Sequence, residues 1–160
     1  MKHKKALLAV LGCVAALAVP AAVMAADDDA IVIGNTSVID TVDPVHNGSN
    51  AWSLTADGVS ETIFMQDKEG NLVSRIVDSI EQKDELTWEM KLKEGVKFSD
   101  GSDVDAQALC DSMNTIMENN EMASTSAGVI TFTPVDDMTV ELKSERETTV
   151  MPSVLCEYSM

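Results

Sequence analysis

The stretch WEMKLKEGVKFSDGSDVDAQAL, residues 88–109, changes its hydrophobic period part-way along. In its first half apolar residues alternate with polar ones. The apolar residues are Trp88, Met90, Leu92, Val96 and Phe98. Because alternate side chains of a strand point to opposite faces, this pattern predicts strands with one buried face. Glu94-Gly95 interrupts the alternation as a turn, so residues 87–98 are predicted to form a β-hairpin.

After Gly101 the spacing of apolar residues lengthens from two to about 3.6, the period of an α-helix. The predicted buried stripe consists of Leu109, Met113, Ile116 and Met117. Asn119-Asn120 is expected to end this helix. Asp105 is predicted as the N-cap, accepting from free N–H groups of the first turn. Val104 and Leu109 would then flank it as a hydrophobic staple, whereas the rival cap Ser102 follows a glycine and forms none.

Asp100, Asp103 and Asp105 also raise the possibility of a calcium loop. An EF-hand loop requires an oxygen ligand at position 5 and a glycine at position 6. Counting from Asp100 places Val104 at position 5, and counting from Asp103 places an alanine at position 6. The sequence therefore predicts a tight turn at Asp100-Gly101 that leads into a capped helix, and no calcium site.

The remaining elements are predicted from shorter patterns. Strands are expected at residues 30–35, 129–133 and 139–143. A loop is expected at 41–53, a short helix within 58–67 and a turn at 68–71. The pattern of 72–80 is ambiguous. Pro152 suits the first turn of a final helix.

Residues 1–26 are predicted to be a secretory signal peptide, followed by one domain over 27–160. A basic start precedes an apolar run that is broken by Pro20, and Val23 and Ala25 suit a cleavage site. A membrane anchor is an alternative. A lipoprotein is another, because the residues that end at Cys13 resemble a lipobox. The predicted location is periplasmic or extracellular.

The charge of the chain excludes some partners. Without the three lysines of the signal, eight basic residues face 27 acidic ones, a formal net charge of −19. Nucleic acid is therefore not an expected partner, because binding a phosphate backbone requires basic patches. The sequence suggests a solvated surface of an exported protein.

No catalytic or metal constellation is evident. After the signal, the chain has one histidine, His46, and two distant cysteines, Cys110 and Cys156. That set fits neither a zinc site nor a nucleophile with its base. The two cysteines could pair in an oxidising compartment or stay as buried thiols. We therefore expect no enzyme activity, metal or cofactor.

Residues 88–109 resemble the signature of the extracellular solute-binding proteins of oligopeptide, dipeptide and nickel ABC importers, solute-binding family five. The positions that match are Leu92, Lys93, Gly95, Val96, Phe98, Asp100, Gly101, Val104, Ala106 and Leu109. Asp43-Pro44 resembles the family's Asp-Pro motif near the mature start, and residues 61–80 and 135–143 resemble its flanking segments. The resemblance covers nearly all of the chain after the signal.

The resemblance implies an α/β fold: the N-terminal part of lobe one of a two-lobed, class II-like periplasmic binding protein, with a mixed sheet, a hairpin and a helix. It implies capture of a peptide or other small solute for delivery to ABC permease subunits, by closure of two lobes. The ligand-contact candidates are Asn47, Asn50, Trp52 and Glu61. Family members are much longer, so the alternative is a truncated or split-gene fragment without ligand binding of its own.

Overall fold

The computed structural model describes residues 32–34, 36, 41–43, 45 and 51–157. The chain divides into two units, Met1–Gly34 and Asn35–Met160. In the first unit, Val32 and Ile33 are exposed and lie outside any strand. The predicted buried strand at 30–35 is therefore wrong for these two residues, because no strand of the described chain pairs with them. The predicted signal peptide, including Cys13, lies outside the described residues.

The second unit contains four helices and six strands among its described residues. The helices are α1 (Ala51–Ala56), α2 (Ala106–Asn119), α3 (Glu121–Ala127) and α4 (Met151–Val154). The strands are β1 (Met65–Gln66), β2 (Leu72–Val73), β3 (Val77–Gln82), β4 (Thr87–Leu92), β5 (Ile130–Asp136) and β6 (Thr139–Ser144). No helix in the described part of the chain has the length and apolar character needed to cross a membrane.

The main sheet has four strands in the order β3-β4-β6-β5, and every neighbouring pair is antiparallel. β4 and β5 consequently run in the same direction, with β6 inserted between them. The connection from β4 to β5 carries α2 and α3, so the unit is a split β-α-β arrangement. The α/β class is confirmed, but the described sheet is antiparallel where a mixed sheet was expected.

One face of this sheet and α2 form the hydrophobic core. Buried hydrophobic side chains of the sheet include Val77, Trp88, Met90, Leu92, Ile130, Phe132, Val140 and Leu142. The predicted stripe of α2 packs against them and is buried throughout. The opposite sheet face carries charged side chains such as Glu89, Lys91 and Glu141, the pattern of an antiparallel sheet with one solvated face.

The predicted hairpin over residues 87–98 is wrong. β4 ends at Leu92, and it pairs with β3 on one side and with β6 on the other. Lys97 makes only an isolated bridge to Asp103, and Phe98 is exposed. The alternation at Val96 and Phe98 belongs to a tight loop, because β4 already has a neighbour on each side and offers no free edge.

The helix predicted within residues 58–67 is also wrong. That segment is irregular and ends in β1, while α1 forms earlier, in the predicted loop. The N–H groups of Val59 and Ser60 both donate to the Leu54 carbonyl, so the chain turns back across the end of α1. Gly58 has φ of 75° there, a conformation that favours glycine.

The predicted start of α2 is confirmed. Asp105 is the N-cap, and its carboxylate accepts the N–H of Ala108 at 2.7 Å. Val104 and Leu109 are both buried, as a staple requires. Asn120 ends α2 and also caps α3, a helix that the sequence pattern did not predict.

Several shorter predictions are confirmed. β5 and β6 contain the strands predicted at 129–133 and 139–143, although β5 begins one residue later and continues through Pro134 to Asp136. Residues 67–71 form the turn between β1 and β2, with Gly70 at φ of 84°. Pro152 lies in the first turn of α4.

Candidate functional site

The structure describes only part of the predicted ligand-contact set. Asn47 and Asn50 of this set lie outside the described residues, and so do His46 and the motif residue Pro44. Trp52 and Glu61 are described, and both are exposed. The described part of this set therefore lies on α1 and on the loop that follows it.

Trp52 lies in the first turn of α1 and is 50% exposed. Its neighbours on the helix, Ser53 and Leu54, are fully buried. α1 is therefore anchored by one side while its tryptophan faces solvent. An exposed aromatic on an anchored element is suited to stacking on, or packing against, a ligand.

Glu61 forms an ion pair that the sequence pattern did not predict. Arg75 Nη1 donates to Glu61 Oε1 at 2.7 Å, joining the loop after α1 to the segment before β3. Composition was the one sequence feature that could have indicated this ion pair. Arg75 and Arg146 are the two arginines of a chain with 27 acidic residues, so each has many possible carboxylate partners. Both side chains are largely exposed, so the pair contributes about 1 kcal/mol or less to stability.

The motif residues from Gly95 to Gly101 form a hydrogen-bonded loop. The N–H of Gly101 donates to the Phe98 carbonyl, and the Phe98 N–H donates to the Ser102 carbonyl. Asp100 Oδ1 accepts the Ser102 N–H at 2.9 Å and its hydroxyl at 2.6 Å. Gly95 and Gly101 have φ of 76° and 90°. The turn predicted at Asp100-Gly101 is confirmed, and the hydrogen bonds of these residues stabilise the loop before α2.

Many aspartates of this acidic chain shape turns. Each accepts a backbone N–H two residues ahead; they are Asp43, Asp67, Asp84, Asp100 and Asp136. Bonds from Ser102 hold the pKa of Asp100 below its usual value, and bonds from Asn71 do the same to the pKa of Asp67. Asp67 and Asp100 are consequently ionised turn formers.

The two cysteines of the described chain are free thiols. Cys110 is buried within α2, and burial raises its pKa to about 11. Cys156 is half-buried after α4, and burial raises its pKa as well. A thiol with a raised pKa is a poor nucleophile at neutral pH. Within the described residues, no three histidine, cysteine or acidic side chains are grouped as metal ligands.

Two concave surfaces of the second unit both open to solvent. One, of about 370 Å³, lies among Asp78, Lys91 and Thr139 at the end of β4. The other, of about 350 Å³, follows β3 and has both apolar and polar walls. Neither contains Trp52 or Glu61.

Comparison with known families decides the assignment. The sequence profile of the bacterial extracellular solute-binding proteins, family 5 (middle region), matches residues 71–160. The chain belongs to this family. The resemblance of residues 88–109 to family five is therefore confirmed.

Curated proteins similar to this chain include glutathione-binding proteins. GsiB of Shigella dysenteriae serotype 1 is 33% identical over 108 residues, which are 67% of this chain and 20% of that protein. GsiB of Escherichia coli K12 is 32% identical over the same lengths. The chain thus spans about a fifth of the curated relatives it matches.

Solved structures show the same fold at low identity. A nickel ABC transporter protein of Bacillus halodurans aligns with a TM-score of 0.68 and 19% identity, over 77% of this chain and 26% of its own. A peptide-binding protein, AppA, of Clostridium difficile aligns with a TM-score of 0.56 and 21% identity, over 72% and 26% of the two chains. The described unit therefore has the fold of one part of these larger proteins.

Proposed function

We propose that this chain serves as the N-terminal part of the first lobe of a substrate-binding component in a peptide-type ABC importer. The observation that supports this function is the family 5 match over residues 71–160. The solute would be a peptide or a similar small molecule, captured outside the cytoplasmic membrane and delivered to permease subunits. Residues 1–26 would direct export, and a lipid anchor at Cys13 is the lesser alternative.

The proposed ligand contacts are Trp52 and Glu61, together with Asn47 and Asn50. Trp52 offers an exposed ring, and Glu61 offers a carboxylate that suits the ammonium end of a peptide. Arg75 joins this group because it already bonds Glu61 at 2.7 Å. A guanidinium binds carboxylates in a fork geometry, so the pair carries groups complementary to both ends of a zwitterionic peptide.

The second candidate is a fragment that binds no solute by itself. Two observations favour it. The two concave surfaces described above open to solvent and exclude Trp52 and Glu61, and the chain spans a fifth of its curated relatives. Two lobes that close around a ligand bury most of the ligand's surface, whereas an open concave surface leaves much of it in contact with water.

Calorimetry on the folded chain separates the two candidates. Glutathione and a mixture of di- to pentapeptides are titrated into the protein, with Trp52→Ala and Glu61→Gln as variants and Asp137→Asn as the surface control. Saturable heat that both variants weaken and the control retains supports solute capture through these residues. A folded protein that gives no heat with any ligand contradicts independent capture and supports the fragment.

A further inference from the structure

The two outer edges of the main sheet differ. At the β5 edge, Asn114 of α2 bonds both the N–H and the carbonyl of Phe132. The β3 edge has no such cover among the described residues. An uncovered edge presents a row of backbone donors and acceptors that can pair with another strand.

The register identifies which groups of β3 are free. The Lys83 N–H donates to the Thr87 carbonyl of the turn, and Glu81 pairs with Glu89 of β4. In an antiparallel ladder the bonded residues alternate, so the backbone groups of Ile80 and Gln82 point away from β4. The turn and loop hydrogen bonds of the described residues do not use their N–H or carbonyl groups either.

A groove of about 350 Å³, with both apolar and polar walls, lies along the same edge. Its apolar walls are Phe64, Leu72, Val73, Val77 and Ile80. Leu72 and Val73 are exposed although both are large hydrophobic residues. A free strand edge beside an apolar groove is the arrangement by which domains bind an extended peptide, with main-chain bonds for affinity and the groove for alternate side chains.

We propose that the β3 edge binds a short, extended and positively charged segment of a partner polypeptide as an added strand. The register shift at Asp78 interrupts the edge, which limits the paired stretch to Ser79 through Gln82. This surface is separate from Trp52, Glu61 and Arg75, and it does not depend on solute capture by those residues.

Charge complementarity identifies the partner. Asp78 and Glu85 lie before and after the edge, and neither forms an ion pair within the described residues. Lys83 pairs with Glu81 and Glu89, while Lys93 donates to the Ser74 carbonyl and keeps its positive charge. Residues 78–85 carry four carboxylates, which outnumber Lys83 and the neighbouring Lys93. The edge is therefore acidic. A second copy would present the same acidic edge, and the chain has a net charge of −16, which opposes self-pairing.

The test uses three capped hexapeptides: alternating lysine and valine, alternating glutamate and valine, and alternating lysine and serine. Binding is measured by fluorescence anisotropy, and the site by NMR shifts and amide exchange of Ile80 and Gln82. The lysine–valine peptide is expected to bind and to protect these two amides from exchange. The other two peptides are expected to bind at least about tenfold more weakly. The acidic edge repels the glutamate–valine peptide, and the lysine–serine peptide has no apolar side chains to fill the groove.

The Gln82→Pro variant removes one outward N–H without removing a bond to β4, so the sheet is expected to stay folded. This variant should bind the lysine–valine peptide about tenfold more weakly than the parent chain does. The matched control, Gln82→Ala, loses the same side chain and its bond to the Thr148 carbonyl but keeps the N–H, and should bind within about twofold of the parent chain. Trp52→Ala is expected to leave this binding unchanged.

Three results would overturn the proposal. They are equal binding of the lysine and glutamate peptides, amide protection elsewhere than β3, and equal affinity of the Pro and Ala variants while both remain folded by circular dichroism. Concentration-dependent dimerisation through β3 without peptide binding would assign the edge to a second copy instead. If the chain captures no solute, the measurements of peptide affinity, amide exchange and variant binding are unaffected. The two proposals are therefore tested separately.

Discussion

Asn114 of α2 closes the outer edge of β5 at Phe132. Its Nδ2 donates to the Phe132 carbonyl at 2.8 Å, and its Oδ1 accepts the Phe132 N–H at 3.0 Å. A side-chain amide carries one donor and one acceptor in the arrangement of a peptide group, so Asn114 replaces a neighbouring strand at this position. The same contact fixes the helix against the sheet.

Replacing Asn114 by alanine should lower the free energy of unfolding by about 1–3 kcal/mol, because two partly buried backbone groups of Phe132 lose their partner. Urea unfolding followed by circular dichroism measures the change. The matched control is Asn119→Ala on the same helix, whose amide bonds only the Thr115 carbonyl at an exposed position. Equal effects of the two substitutions would contradict the edge-closing role of Asn114.

Replacing Asp105 by alanine should cost about 1 kcal/mol, because the Ala108 N–H loses its acceptor at the start of α2. Asp105→Ser, which retains a capping oxygen, should recover most of that loss. Asp103→Ala tests the neighbouring exposed pair with Lys97 and is expected to have a smaller effect. The midpoint of urea unfolding ranks the three variants. A neutral Asp105→Ala would rule out the capping role.

Asp100→Asn should change how stability depends on pH. The pKa of Asp100 is held below its usual 3.8 by bonds from Ser102, so the ionised form is favoured in the folded state. Its contribution is therefore present above the unfolded pKa and is lost as pH falls through the lower folded value. Parent and variant should differ in urea midpoint at pH 7 and converge as the pH falls below the folded pKa of Asp100.

Asp137→Asn is the control for this pH experiment, since the Asp137 carboxylate accepts no hydrogen bond among the described residues. The change in urea midpoint at pH 7 should be larger for Asp100→Asn than for Asp137→Asn. If the Asp100→Asn difference instead grew on acidification, the sign of the assigned pKa shift would be wrong.

The two described thiols should differ in reactivity. In a Cys13→Ser background at pH 8, a thiol reagent is expected to modify half-buried Cys156 first. Cys110 is buried with a pKa of about 11, so it should react only when urea unfolds the chain. The faster phase of thiol modification should disappear in the Cys156→Ser variant, which assigns that phase to Cys156. Rapid modification of both thiols in the folded chain would contradict the burial of Cys110.

Local patterns in the sequence predicted the elements whose hydrogen bonds close within a few residues. The cap at Asp105 and the turn at Asp100-Gly101 are of this kind, since each side chain satisfies N–H groups two or three positions ahead. The buried stripe of α2 follows from its period alone. The family assignment also came from the sequence, because residues 88–109 carry a recognisable pattern.

Long-range pairing could not be predicted in the same way. Val96 and Phe98 extend the alternation of β4, yet the partners of β4 are β3 and β6, the latter about fifty residues along the chain. The bond from Asn114 to Phe132 and the ion pair of Glu61 with Arg75 likewise join separate segments. Sequence alone was enough for the local geometry and the family. Which strand edges are covered and which are free follows from the tertiary structure, because it depends on contacts between residues distant in the chain.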